Sequence, residues 1–158
     1  MNDIRFNTDS YYFSYRAAGI VVVDGKVLLQ KPIDGNDYAL PGGGVKLGET
    51  CAETLKREFS EEIGTDIEVG KLRWVEECFW TWDGKPNHNI SLYFDVRFTD
   101  SVQIPLNGCF ASNEPHLEFN WVAIENLGNL TVYPERMTEL LRNKSDSVEH
   151  WVRRETKP

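Results

Sequence analysis

Arg57-Glu58-Phe59-Ser60-Glu61-Glu62-Ile63-Gly64 sets three carboxylates within five residues, immediately before a glycine. The surrounding residues mark a helix with defined ends. Thr50-Cys51-Ala52-Glu53 fits a capping box, in which the threonine side chain accepts from a free backbone N–H and the glutamate reaches back. Gly64 suits the left-handed residue that closes a helix, so the pattern predicts a helix over 51–63. At about 100° per residue, Ala52, Leu55, Phe59 and Ile63 form one stripe roughly 80° wide, suited to packing on a sheet. Glu58, Glu61 and Glu62 fill a neighbouring sector roughly 100° wide, with Glu62 nearest the apolar edge. That spacing predicts that all three converge.

A solvated acidic face is the ordinary reading of such a helix, but local energetics oppose it. Glu58 and Glu62 are a like-charge pair one turn apart, and Glu58 with Glu61 is similar, each unfavourable by about 0.2 to 0.5 kcal/mol. Negative charge in the last turn also opposes the helix dipole, at about 0.3 to 1 kcal/mol per group. Arg57, four residues before Glu61, offsets one of these. A net penalty on the order of 1 kcal/mol, where lysines would be favourable, is a broken local rule of the kind that concentrates at functional sites. A hard divalent cation removes the conflict, because Mg²⁺ takes a few carboxylates and fills its other positions with water and substrate phosphates.

The chain ahead of the helix, Leu40-Pro41-Gly42-Gly43-Gly44-Val45, ends a short strand and permits close backbone approach. It lacks the Gly-Lys-Ser/Thr that opens the helix of a phosphate loop, which argues against that class of nucleotidase. Upstream, the apolar run from Ala17 to Val23 meets Asp24-Gly25 and then KVLLQK, the signal of a hairpin. Residues 66 to 82 read as an extended segment ended by DGKPN, pairing with a strand over 88 to 98 whose residues alternate strictly. A further strand is expected at Phe119 to Ile124. Pro134 is placed to start a helix running to about Asn143, with Met137, Leu140 and Leu141 on one side. Tyr11, Phe13 and Tyr15 alternate as an N-terminal strand that packs on the body or on another subunit, and VEHWVRR alternates near the C-terminus.

From Gly43 onward the chain reads GGVKLGETCAETLKREFSEEIGT. This resembles the signature of the Nudix hydrolases, G-x5-E-x7-R-E-U-x-E-E-x-G-U, where U is a bulky aliphatic residue. Gly43, Glu49, Arg57, Glu58, Glu61, Glu62 and Gly64 meet its fixed positions, while Phe59 and Thr65 depart from the aliphatic ones. The resemblance implies an α/β/α sandwich with a mixed β-sheet between helices, formed by a single domain over residues 1–158. Within it, 1–14 would be an N-terminal arm or strand and 144–158 a C-terminal extension. It also implies Mg²⁺- or Mn²⁺-dependent hydrolysis of a nucleoside diphosphate linked to another moiety. Carried over by position, Glu58, Glu61 and Glu62 would be metal ligands with the Gly43 carbonyl, and Arg57 and Glu49 orienting residues. The general base would be Glu61 or a loop carboxylate, Glu114 or Glu118. A catalytically silent nucleotide-sensing module of the same fold is the alternative reading.

Substrate selection falls outside the signature. Trp80 and Trp82 share a strand face and are candidates to stack on a base, with core or dimer packing as the competing reading. Arg16, Glu76, His88 and Glu118 are further candidates for substrate contact, against ordinary surface or structural roles.

Composition narrows the partners. With 158 residues and 41% hydrophobic composition, the chain is sized for one domain with a real core. Its net charge of -8 disfavours long nucleic acid and anionic membranes, so a polyphosphate would need cations to bind. The three cysteines, Cys51, Cys78 and Cys109, have no zinc or disulfide spacing and fit reduced thiols in the cytoplasm. The expected partner is a small nucleotide-type substrate, with a homodimer left open.

Overall fold

The computed structural model describes residues 2–99, 104–143 and 145–155. Its strands are β1 (Arg5–Asn7), β2 (Tyr12–Ile20), β3 (Val22–Val23), β4 (Lys26–Pro32), β5 (Asp37–Ala39) and β6 (Gly42–Gly44). The helix α1 (Cys51–Ile63) follows, then β7 (Ile67–Trp82), β8 (Lys85–Phe98), β9 (Cys109–Ala111) and β10 (Leu117–Ala123). A 3-10 segment at Ile124–Asn129 leads to β11 (Thr131–Tyr133), α2 (Met137–Arg142) and β12 (Glu149–Arg154).

The strands form two six-stranded sheets, where a single mixed sheet was expected. One runs β1-β2-β8-β7-β12 with β6 on β2, and the other runs β11-β5-β4-β10-β9 with β3 on β4. Both are mixed: β2 runs parallel to β8, β12 to β7 and β11 to β5, and the remaining pairs are antiparallel.

Successive side chains of a strand point to opposite faces, and that alternation divides the core in two. Ala17 joins the cluster under α1 with Leu55, Phe59 and Ile63, whereas Ala18 joins the one under α2 with Met137 and Leu140. Likewise Leu28 belongs to the first cluster, and Val27 and Leu29 to the second. The architecture is therefore an α/β/α sandwich.

Several local expectations are met and several shift. Thr50 and Thr54 flank the first turn of α1, Thr50 with both halves of its capping box formed, and Gly64 closes the helix at φ 72°. Asp24 and Gly25, both at positive φ, join β3 to β4 in a two-residue turn. The long hairpin also turns in two residues, Asp83 and Gly84, so β8 starts at Lys85 and not at residue 88. The N-terminal segment is no separate arm beyond β1: Tyr12 to Ile20 is one strand, because β8 lies beside it along that whole length. Pro134 does not begin a helix. β11 keeps the chain extended on β5 up to Tyr133, and the helix starts at Met137, whose N–H bonds Pro134 O at 2.9 Å. The alternating residues near the C-terminus form β12, a parallel strand along Trp74 to Phe79 of β7.

Gly42 is where the three-glycine run meets β2. Its φ is 151°, and a Cβ there would lie 2.1 Å from the Ala17 carbonyl oxygen and 2.7 Å from Ala18 Cα. Both neighbours are backbone, so neither can swing away. Gly42→Ala should therefore lower unfolding stability by on the order of 3 kcal/mol, read as a lower urea midpoint with unchanged slope; an unchanged midpoint would contradict this packing.

Candidate active site

The site is built on the exposed side of α1. Phe59 and Leu55, almost fully buried, fix the helix on the sheet, which turns Glu58, Glu61 and Arg57 towards the glycine run. Arg57 is the hub of the polar face. Its Nε donates to Glu49 Oε1 at 2.8 Å and its Nη2 to Glu49 Oε2 at 3.0 Å, a bidentate fork. Nη1 reaches Glu58 Oε1 at 2.5 Å and Glu61 Oε2 at 3.3 Å, and Nη2 also donates to the Gly44 carbonyl at 3.2 Å. These carboxylates hold the guanidinium firmly in its charged form. In return Arg57, helped by the Thr54 hydroxyl at 2.8 Å and the Lys46 N–H at 3.2 Å, pulls the Glu49 carboxyl down to about 2.

Glu58 lies directly against Gly43. A Cβ on Gly43 would stand 2.3 Å from Glu58 Oε1, so only a glycine lets the backbone and this carboxylate meet. Glu62 faces inward and is 6% exposed. Its pKa is pushed up to about 7, chiefly by burial and then by Glu58 and Glu114, against a lowering pull from Arg16. Glu61 remains exposed at the rim.

The three glutamates share one sector but do not meet at one point. Among the described residues, no three acidic, histidine or cysteine side chains are gathered closely enough to hold a metal ion. Arg57 is the physical reason: it draws Glu58 and Glu61 onto its own guanidinium while Glu62 turns into the interior. The site nonetheless fits a hard divalent cation chemically. Its donors are all oxygens, the backbone at Gly43 is bare, and Glu62 carries a charge penalty that a cation would lift.

The loop after β9 holds the end of α1. Ser112 Oγ and Asn113 N–H donate to the Glu62 carbonyl at 3.0 and 2.8 Å, and Asn113 Nδ2 donates to the Glu61 carbonyl at 3.1 Å. They satisfy helix-end carbonyls that would otherwise lack partners, and they bring Glu114 within the field of Glu62. Neither Ser112 nor Asn113 was among the sequence candidates; no local pattern marks a cap supplied from fifty residues away. Glu118, by contrast, is taken up by Lys31 at 2.9 Å on the neighbouring strand, so of the two loop carboxylates only Glu114 is brought to the site.

Two cavities flank Arg16, Trp80, Trp82 and Asn89. One, about 640 Å³, is lined also by Arg5, Lys85 and Gly44. The other, about 590 Å³, reaches Glu76, Tyr93 and Arg153. Arg16 forms no ion pair among the described residues; its Nη2 donates to the Leu40 carbonyl at 3.4 Å. Trp80 donates from Nε1 to Asn89 Oδ1 at 3.2 Å and meets Trp82 edge-on, with centroids 6.1 Å apart. Core packing does not hold for Trp82, which is 69% exposed. Glu76 is buried, accepting from the Tyr93 hydroxyl at 3.0 Å and from Trp151 Nε1 at 3.3 Å; burial raises its pKa and these bonds only partly oppose it. His88 is not in this group. It stacks on Phe79 at 4.2 Å beside Phe13 and faces a separate cleft with Phe6 and Tyr11.

The sequence model of the NUDIX domain matches residues 14–144, most of the chain. The chain belongs to the Nudix family. Nudix relatives include the nucleoside triphosphatase NudI of Enterobacter sp. (strain 638), 29% identical over 100 residues, covering 59% of this chain and 66% of that protein. The same enzyme of Salmonella typhimurium is 29% identical over 116 residues, covering 66% of this chain and 77% of that protein. Among solved structures, a NUDIX hydrolase from Nitrosomonas europaea superposes with a TM-score of 0.65 at 16% identity, over 94% of this chain and 82% of that one. Nudix hydrolases act on diphosphate bonds and generally use divalent cations. No helix among the described residues is long and apolar enough to cross a membrane.

The Glu49–Arg57 fork gives this Nudix chain a pH-dependent element. Glu49 titrates at about 2, below its ordinary 4.5, so its stabilisation is complete above 4.5 and fades as pH falls through about 2. Glu49→Gln should lower the urea midpoint at pH 7, and the gap from the parent chain should close as pH approaches 2. A gap that stays constant across that range would contradict the ion pair.

Proposed function

We propose that this Nudix hydrolase is a Mg²⁺-dependent pyrophosphohydrolase of small nucleotides: nucleoside triphosphates, as the name of its relatives NudI suggests, or nucleoside diphosphates carrying another group. The observation that carries this reading is the seating of the Glu58 carboxylate on bare Gly43 backbone, beside Glu61 and the buried Glu62. Glu58, Glu61, Glu62 and the Gly43 carbonyl would hold Mg²⁺ or Mn²⁺, which when bound neutralises a diphosphate and acidifies a water. Glu49 and Gly44 keep Arg57 in place, so that the carboxylates it holds stay beside Gly43. Glu61 or Glu114 would accept the proton of the attacking water, a reading supported by the exposure of Glu61 at the rim and by the influence of Glu114 on Glu62. Arg16 lies between the acidic face and both cavities and is positioned for phosphate, while Trp80 and Trp82 offer faces for a base. One domain over the whole chain carries the activity, with a small molecule as its partner.

The test is turnover. Purified protein with Mg²⁺ should hydrolyse at least one nucleotide in a panel of triphosphates, dinucleotides and nucleotide sugars, releasing pyrophosphate or phosphate from a triphosphate, or a nucleoside monophosphate and a phosphorylated partner from a dinucleotide or nucleotide sugar. Glu61→Gln and Glu62→Gln should each reduce kcat by about two orders of magnitude or more without lowering the thermal unfolding midpoint. Full turnover in both variants, or tight nucleotide binding with no product in Mg²⁺ or Mn²⁺, would reject the assignment.

A further inference from the structure

β12 lies outside the residues matched to the NUDIX domain, yet it builds one wall of the 590 Å³ cavity. Alternation puts Trp151 and Arg153 on one side of this strand and His150, Val152 and Arg154 on the other, and Glu155, the residue after the strand, joins the first side at the cavity. The second set faces away: His150 meets Glu77, Val152 is exposed, and Arg154 covers the Phe79 ring. The first set faces the cavity. Trp151 stacks on Tyr93 and donates to Glu76, while Arg153 and Glu155 line the cavity itself.

Arg153 is anchored without being used up. Nη2 meets Glu135 Oε1 at 2.9 Å, Nη1 rests on Cys78 Sγ at 3.3 Å, and the guanidinium lies over Tyr133, 5.7 Å from its centroid. A thiol is a weak acceptor, so that donor is available to a better one. Glu155 accepts from the Thr81 N–H through Oε2 at 3.0 Å, and its Oε1 has no partner among the described residues. A strong donor and a carboxylate acceptor thus stand two residues apart at the end of β12, lining the same cavity as Trp80 and Trp82, with Glu155 bonded to the Thr81 N–H between those two rings.

We propose that Arg153 and Glu155 determine specificity by reading the edge of a nucleobase that presents a carbonyl next to a ring N–H, as guanine, hypoxanthine and uracil do. Arg153 donates to the carbonyl, and Glu155 accepts from the N–H. Adenine and cytosine, with an amino group in place of that carbonyl, would set a donor against the guanidinium. Arg–guanine and carboxylate–amine pairings follow the same complementarity in nucleic-acid recognition. The inference rests on the reading of this site as a nucleotide site, but not on turnover.

Binding tests it directly, through quenching of tryptophan fluorescence by nucleoside monophosphates. GMP and UMP should bind at least about tenfold more tightly than AMP and CMP. Arg153→Met combined with Glu155→Gln, which removes both contacts, should bring the two groups to within about threefold. Glu135→Gln, which removes the anchoring ion pair but keeps the guanidinium, should retain the discrimination; it also controls for loss of structure. Equal affinities in the parent protein, or a preference that survives the double change unaltered, would overturn the inference. In a parallel turnover panel, Arg153→Met should raise KM for guanine and uracil nucleotides more than it lowers kcat. If nucleotides are hydrolysed with no base preference, the inference fails and the assigned activity stands; if they bind with the preference but are not hydrolysed, the reverse holds.

Discussion

Carboxylates on successive turns of one helix repel, and in this structure a single guanidinium holds them together. Arg57 joins Glu49, Glu58, Glu61 and the Gly44 carbonyl, linking the helix, the loop before it and the glycine strand. Each like-charge pair costs only a few tenths of a kcal/mol on an exposed helix, but Glu62 is buried, where the same repulsion weighs more heavily. The charge excess is therefore arranged and not merely tolerated. It is partly compensated, with the remainder concentrated beside Gly43.

The rest of the fold serves this arrangement. β2 separates the two cores residue by residue, and β6 pairs with it through Gly42 to Gly44 opposite Ala18 to Arg16. That register sets Arg16 level with Gly44, so the cation on one strand and the acidic helix on the other border the same space. α1 is held at its start by the Thr50–Glu53 box and at its end by Ser112 and Asn113. With both ends fixed, the carboxylates keep their direction.

What could be read in the sequence was whatever depends on neighbours a few residues away. The helix limits, its apolar stripe, the Asp24-Gly25 turn and the inward tilt of Glu62 follow from spacing alone. The signature residues were legible for the same reason, being packed into one loop and helix. The errors have a different origin. Pro134 satisfies the local rule for a first helical residue, yet pairing of β11 with β5 delays the helix to Met137. Glu118 and Glu114 looked alike as loop carboxylates; strand register gave one to Lys31, and the helix cap brought the other to Glu62. His88 belongs to an aromatic stack that no spacing announces. Convergence of the three glutamates was inferred from helix angles, which carry no information about where Arg57 would draw the side chains. Arg153 and Glu155 went unread because a parallel edge strand takes its meaning from β7, some seventy residues earlier; the alternation of VEHWVRRE was the available signal.

The face shared by Glu58, Glu61 and Glu62 beside Gly43 is the proposed divalent-cation site, with Arg57 holding Glu58 and Glu61 in reserve. Crystals soaked in Mn²⁺, measured at the manganese absorption edge, test this most directly. An anomalous peak is expected at Gly43 within coordinating distance of Glu58 and at least one of Glu61 and Glu62, with Glu58 turned away from Arg57. A map with no peak there, and the Arg57–Glu58 ion pair intact in the presence of Mn²⁺ and a bound nucleotide, would contradict it.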